Sequence, residues 1–358
     1  MTVVSLLPLP SRASRICLLA VLLVAAGCSS GPVPTTGKPS APLPSGQGDQ
    51  STACAPNVGA APTSYPGWPG GDQAVATNED VIPFLAMRDL AVGPNRFLVT
   101  IVDNANQVIA APGIGVKLRF FNLAADPNNP TSSPDAFFLD AGNGKGLYRS
   151  NVDFACWGDW GVELTVEQAS RRDTARVVFD VQATSSTPAI GEAAPAVETP
   201  TATDAAGIAA ISTDPDPDPD WYGMTIAQAV TSGRPSLIVF ATPAFCQTAT
   251  CGPTLSLVKS AAAPYKGRVN LLHVEPYILQ TTPTGLQPVL DPQGRLQAVA
   301  AADDFGLISE PFTFVVDSAG KVSAKFAGLM DPVEIRAALD AVTTGTPVGA
   351  SPGASAAP

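Results

Sequence analysis

Two kinds of hydrophobic spacing divide the chain. Between about residues 76 and 183, apolar and polar positions alternate. In RFLVTIVD, Phe97, Val99 and Ile101 share one face. In GVKLRFFNL, Val116, Leu118 and Phe120 oppose Lys117 and Arg119. In WGVELTVE, Trp160, Val162, Leu164 and Val166 oppose Glu163, Thr165 and Glu167, and RVVFDV repeats the pattern. Turn-forming residues separate the runs, at Asp103–Asn106 and in DAGNGKG at 140–146. Short half-polar strands with polar turns and no helical period predict an antiparallel β-sandwich.

From Trp221 the spacing changes. PSLIVFAT and RVNLLHVEPY are near-continuous apolar runs, as in strands buried on both faces. MTIAQAVTSG, TLSLVKSAAAPY and LQAVAAADDFGL read as helices, the first stopped by Gly233. PFTFVVD and KVSAKFAG form a predicted hairpin across a turn at Asp317–Gly320. DPVEIRAALDAV closes as a helix, with Asp331 as N-cap, Pro332 at the first helical position and Glu334 at the capping-box position. The order β-α-β-α-β-β-α predicts an α/β sandwich, with helices over a mixed sheet.

Low-complexity stretches bound these two regions. Residues 28–75 are mostly Pro, Gly, Ser, Thr and Ala, with no cluster of large apolar side chains before SYPGWPGG. Such a stretch buries too little to offset its ordering entropy and is expected to be a disordered linker. Residues 184–220 read as a second, Pro/Asp/Ala-rich linker ending in DPDPDPD, where proline geometry and charge repulsion favour extension. A solvated spacer is expected there rather than a calcium site. Residues 346–358 read as a disordered tail. The expected domains are thus a sandwich over 76–183 and an α/β domain over 221–345.

The N-terminus changes the compartment. Arg12 and Arg15 precede ICLLAVLLVAAG, a run too short to span a bilayer and suited to the core of a signal peptide, residues 1–27. It ends in VAAGC, which resembles the lipobox of bacterial lipoproteins, although Ala25 stands where Leu is usual. That resemblance implies lipidation of Cys28 and a position on the outer face of the membrane, in the cell envelope. A plain secretory signal with another cleavage site and an uncleaved anchor are the alternatives. The formal charge is −11, and losing residues 1–27 removes two arginines and no acid, which takes it to −13. A chain so acidic has no basic stripe for nucleic acid. It is repelled by anionic lipid, so membrane attachment would rest on the lipid itself.

Outside the cytoplasm, Cys54, Cys156, Cys246 and Cys251 are expected to form disulfides. Four cysteines allow three pairings. Cys54–Cys156 with Cys246–Cys251 is preferred, because each pair then stays with one domain.

Two further resemblances concern the domains. GLYRSNVDFACWGDWGVELTV resembles the late strands of immunoglobulin-like modules in bacterial envelope proteins. The resemblance implies a fold and no particular function. Residues 221–345 resemble the thioredoxin-like superfamily. VFATPAFC looks like that family's strand and aromatic loop ending in the attacking cysteine. Cys251-Gly252-Pro253 matches the start of its C-G-P-C, and SEPFTFVVD places Pro311 where it has a cis-proline facing the active site.

The resemblance implies thiol–disulfide exchange with protein thiols or disulfides at Cys246 and Cys251, with Pro311 flanking the substrate and no small-molecule cofactor. The departures are specific. The spacing is C-x-x-x-x-C, and residues five apart on a regular helix point about 140° apart. The segment CQTAT must therefore fold back before the helix starts. Aligning on ATPAFC makes Cys246 the attacking thiol, which is favoured; aligning on CGP makes it Cys251, with Thr254 in place of the second Cys. Phe245 stands in place of the family's Trp, and no acid lies in PSLIVF.

Two other readings stay open. In one, the domain is a non-catalytic envelope binding module with a permanent disulfide. In the other, it resembles copper-delivery proteins that use two cysteines and a distant His. The sole histidine, His273, lies inside an apolar strand and reads as a satisfied core residue, so no metal ligand is assigned. A peroxidase is disfavoured because Pro243 stands where a Thr would be needed.

Overall fold

The computed structural model describes residues 64–70, 74–87, 89–142, 144–246 and 250–344. Cys28 and Cys54, and with them the lipidation site and one end of the expected Cys54–Cys156 bridge, lie outside the described residues. So do the expected signal peptide and tail. Cys156 is buried and disulfide-bonded.

The alternating region forms eight strands: β1 (Ala74–Ala76), β2 (Ile82–Leu85), β3 (Gly93–Val102), β4 (Gly115–Asn122), β5 (Phe137–Gly142), β6 (Lys145–Phe154), β7 (Gly158–Gln168) and β8 (Arg171–Val181). They pair antiparallel in two sheets, in the orders β1-β8-β7-β4 and β2-β3-β6-β5. Period-two side chains from both sheets meet in one core: Phe97 and Ile101 of β3, Phe120 of β4, Phe154 of β6, and Trp160 and Val162 of β7. Edge-on ring pairs run through it, with Phe97–Phe120 and Phe154–Trp160 centroids each 4.8 Å apart. This β-rich antiparallel architecture is compatible with an immunoglobulin-like sandwich.

The second region supplies α1 (Ala205–Ala209), α2 (Ile226–Thr231), β9 (Ser236–Phe240), α3 (Cys251–Ala262), β10 (Asn270–Val274), β11 (Leu279–Thr282), β12 (Gly285–Pro288), α4 (Ala300–Asp304), β13 (Phe312–Val316), β14 (Val322–Ala327) and α5 (Pro332–Thr344). The main sheet has the order β10-β9-β13-β14; β9 runs parallel to β10 and antiparallel to β13. Every residue of β9, β10 and β13 is buried, which explains their unbroken apolar runs. Leu237 and Val239 of β9 face α3 and α5, while Ile238 and Phe240 face α2 and α4.

Three expectations are corrected. Residues 184–220 are not a solvated spacer. Ala194, Ile208 and Ser212 are buried, α1 is capped by the Asp204 side chain, and Ala193 bridges to Lys321. Three of the four DPDPDPD acids are ion-paired: Lys259 pairs with Asp214 at 2.8 Å, and Lys266 pairs with Asp218 at 2.6 Å and Asp220 at 2.8 Å. Composition had suggested mutual repulsion because the lysines are distant in sequence. Likewise the expected linker over 28–75 does not run unpacked to its end, since Tyr65 and Trp68 are buried against Phe121 and Leu123. The contact is so close that a Cβ on Gly161 would lie 2.4 Å from the Trp68 ring. Finally, the helix expected from Leu296 is confined to Ala300–Asp304, and the chain between β10 and that helix carries the β11–β12 hairpin.

The two regions touch through buried charge. Glu334 at the start of α5 receives Arg96 of β3 at 2.8 Å on each oxygen, and Arg149 of β6 approaches it to 3.2 Å. Its Oε2 also accepts the Asp331 backbone N–H, as the capping box requires. Leu98, Leu139 and Leu329 pack beside this cluster.

Candidate functional site

β9 delivers the chain to the loop 241–246 at one end of the main sheet. Phe240 lies opposite Phe312 in the β9–β13 register, so the residues just before Phe312 are brought beside this loop. Those residues are Glu310 and Pro311, joined by a cis peptide bond. Cys246 is half-buried, and Cys251 is fully buried as the first residue of α3. The two form a disulfide with Cα atoms 5.9 Å apart, inside the range such a bond requires. One cysteine precedes α3 and the other is its first residue; most of the segment expected to fold back between them lies outside the described residues.

The first helical amide acts on the other sulfur: the Cys251 N–H donates to Cys246 Sγ at 3.2 Å. After reduction, an amide at a helix N-terminus aimed at that sulfur favours its thiolate. Cys246 therefore combines access with stabilisation, and Cys251 lies behind it.

A carboxylate completes the group. A Glu310 oxygen and the two sulfurs all lie within 4.8 Å of one another. Tyr277, just beyond β10, donates its hydroxyl to Glu310 Oε2 at 2.7 Å. Burial, reinforced by that hydrogen bond and the carboxylate charge, pushes the Tyr277 phenol well above its ordinary pKa, so it remains a donor. Glu310 and Tyr277 were not singled out in the sequence. The available signal was position alone, since Glu310 immediately precedes Pro311.

The segment 184–220 supports the same loop. The Thr213 hydroxyl accepts the Ala244 N–H at 3.2 Å and donates to Glu275 Oε1 at 2.6 Å; the Thr213 N–H reaches the same oxygen at 2.6 Å. Glu275 Oε2 is buried with no hydrogen-bond partner.

His273 is a satisfied core residue. Its Nε2 lies 2.9 Å from the Ala241 carbonyl, which requires a proton there and leaves Nδ1 to accept from Tyr222 at 2.9 Å or Ser212 at 3.3 Å. Burial lowers its pKa and keeps the ring neutral, although Glu275 and Asp214 favour the charged form. With both nitrogens engaged, His273 is not placed to join the cysteines around a metal, as a copper-delivery site would need. Cys246, Cys251 and Pro311 thus come together; Cys156 belongs to the sandwich.

No family model and no curated protein matches the chain. Among solved structures, it is similar to the PmoD soluble domain from Methylocystis sp. ATCC 49242 (Rockwell), at 17% identity and a TM-score of 0.21, over 31% of this chain and 99% of that one. It is also similar to the Lin-41 filamin domain, at 8% identity and a TM-score of 0.18, over 28% of this chain and 93% of that one. Both likenesses span under a third of this chain, and neither assigns it an activity.

Proposed function

We propose that the protein is a lipid-anchored, extracytoplasmic thiol–disulfide oxidoreductase. Its α/β half would be thioredoxin-like, and the sandwich would serve as a docking domain. The observation that carries this reading is the pairing of a half-exposed sulfur, Cys246, with the first amide of α3, beside a buried partner sulfur and Pro311.

In the reducing direction, the Cys246 thiolate attacks a substrate disulfide. The new bond joins Cys246 to one substrate sulfur, and the other substrate sulfur leaves as a thiolate and takes up a proton. Cys251 then loses its proton and attacks Cys246 Sγ. The mixed disulfide breaks, the second substrate thiol is released, and the Cys246–Cys251 bond is restored. Two electrons have passed from the dithiol to the substrate, and the oxidising direction is the reverse. Because Cys251 is enclosed, a substrate sulfur meets Cys246 first. Cys28 would carry the lipid. Among the described residues, no helix is long and apolar enough to cross a membrane.

Trapping tests the assignment. Cys251→Ser should accumulate a mixed disulfide through Cys246 with a disulfide-containing peptide, and Cys246→Ser should form none. The native pair should be in equilibrium with glutathione. A reduction potential below about −300 mV, as in permanent structural bridges, would overturn the exchange reading in favour of a non-catalytic binding module.

A further inference from the structure

We propose that the reduced protein binds a divalent metal ion of the zinc class between Cys246, Cys251 and Glu310. The proposal rests on the reading of the cysteine pair as reducible, and it adds a ligand that this reading does not include.

In the oxidised form both sulfurs are bonded to each other and are poor ligands. An external dithiol or phosphine that donates two electrons, with two protons from solvent, converts the pair to two thiols. Two thiols and a carboxylate then share a space in which all three ligand atoms lie within 4.8 Å of one another. Around a tetrahedral zinc ion, with bonds of about 2.0–2.3 Å, ligand atoms are separated by about 3.5–3.8 Å. Loading requires the sulfurs to part once reduced and the carboxylate oxygen to close to the tetrahedral spacing. Metal entry releases the two thiol protons, so the divalent ion meets two thiolates and one carboxylate. The fourth position stays open to water or an incoming thiolate.

The donor set selects the ion. Two sulfurs and one oxygen suit a borderline ion such as Zn2+, whereas all-oxygen sites suit Mg2+ and Ca2+. Copper(I) would use the sulfurs and have little use for the carboxylate. The surroundings are those of a supported site. Tyr277 holds Glu310 Oε2, which leaves the other oxygen to ligate, and the Cys251 N–H already points at Cys246 Sγ. Cys251 is closed from solvent on one side, while Cys246 and Glu310 are partly accessible, which provides an entry path. Metal and disulfide exclude each other, so the redox state would decide whether the site can load.

The full chain, reduced anaerobically with a phosphine, is titrated with Co2+ and then challenged with Zn2+. One equivalent should produce a thiolate-to-cobalt charge-transfer band with four-coordinate d–d bands, and one equivalent of Zn2+ should remove them. Tyr277→Phe should weaken binding by about 10–100-fold. Glu310→Gln should weaken it more and alter the d–d bands while the sulfur band remains. The oxidised protein should bind nothing.

A wild-type affinity unchanged in both variants would overturn the carboxylate's role and with it the proposal. Mixed-disulfide formation without any sulfur-to-metal band would overturn the metal site and leave exchange standing. A pair that the phosphine cannot reduce in the folded protein would overturn both.

Discussion

Two buried carboxylates, Glu163 of the sandwich and Glu275 of the α/β half, are surrounded in opposite ways. In the sandwich, Glu163 lies on the outer face of β7, and segment 64–70 packs on the same face over neighbouring Gly161. Burial opposes its ionisation, yet Arg119 and Arg176 on the flanking strands hold its carboxyl below the ordinary range. Both of its oxygens are engaged. In the α/β half the pairing is incomplete. Glu275 has one buried oxygen without a partner, and Glu310 faces two sulfurs. Thr242, Thr254 and Thr313, in or beside the disulfide loop, α3 and β13, also bury unpartnered hydroxyls. Complete pairing makes Glu163 part of the scaffold. In the α/β half, the carboxylate beside the two sulfurs sits where the proposed exchange and metal binding would act.

The contrast can be broken most severely at Glu334, where the halves share a carboxylate. Glu334→Ala leaves Arg96 and Arg149 buried without their counter-charge and should cost about 3–5 kcal/mol. Differential scanning calorimetry should then show the single transition splitting in two, with the α/β half melting apart from the sandwich.

A second test uses the sole histidine. Burial lowers the folded pKa of His273 below its ordinary value, so as pH falls below about 6.5 the unfolded chain takes up a proton that the fold refuses. Stability should drop toward pH 5 by up to about 1.4 kcal/mol per pH unit. His273→Gln should flatten urea-derived stabilities across that window. The sandwich contains no histidine and supplies no such slope.

A smaller effect is expected at the N-terminus of α2. There the Thr225 hydroxyl accepts the Gln228 N–H at 3.1 Å and the Gln228 side chain reaches back at 3.0 Å. Thr225→Ala should cost about 1 kcal/mol. The smallest is expected on the sandwich surface. Lys117 pairs with Glu167 in the open, and Lys117→Ala should change stability by less than about 1 kcal/mol in a chemical denaturation series.

Much of the fold was legible because burial follows period. The inner faces of β3, β4 and β7 lie where alternation puts them, and the unbroken runs become the central strands of the mixed sheet. Alternation misled where a second layer covers the outer face. Leu98 falls on the polar side of β3 yet is buried, because Leu329 of the other half packs there. Glu163 reads as an exposed strand residue until its two arginines are placed around it. Residues 184–220 misled because composition cannot reveal that Lys259 and Lys266, more than 40 positions away, pair with three of the four acids.

The candidate site was half legible. Cys246, Cys251 and Pro311 stand in recognisable motifs. Glu310, Tyr277 and Thr213 do not, since nothing local distinguishes them from surface residues. Glu310 reaches the sulfurs through strand register, Tyr277 acts on Glu310, and Thr213 reaches the loop as part of a docked segment.

Thr213 has a consequence of its own. It hangs at the end of a stretch in which Pro215, Pro217 and Pro219 have fixed φ, and the backbone there has few conformations to lose on docking. The brace under the disulfide loop is therefore stiff before it is in place, and its acids find their lysines with little ordering left to do. Salt screens the more exposed Lys266 pairs most, so added salt should loosen the brace at Lys266 before the Lys259–Asp214 pair and the Thr213 contacts.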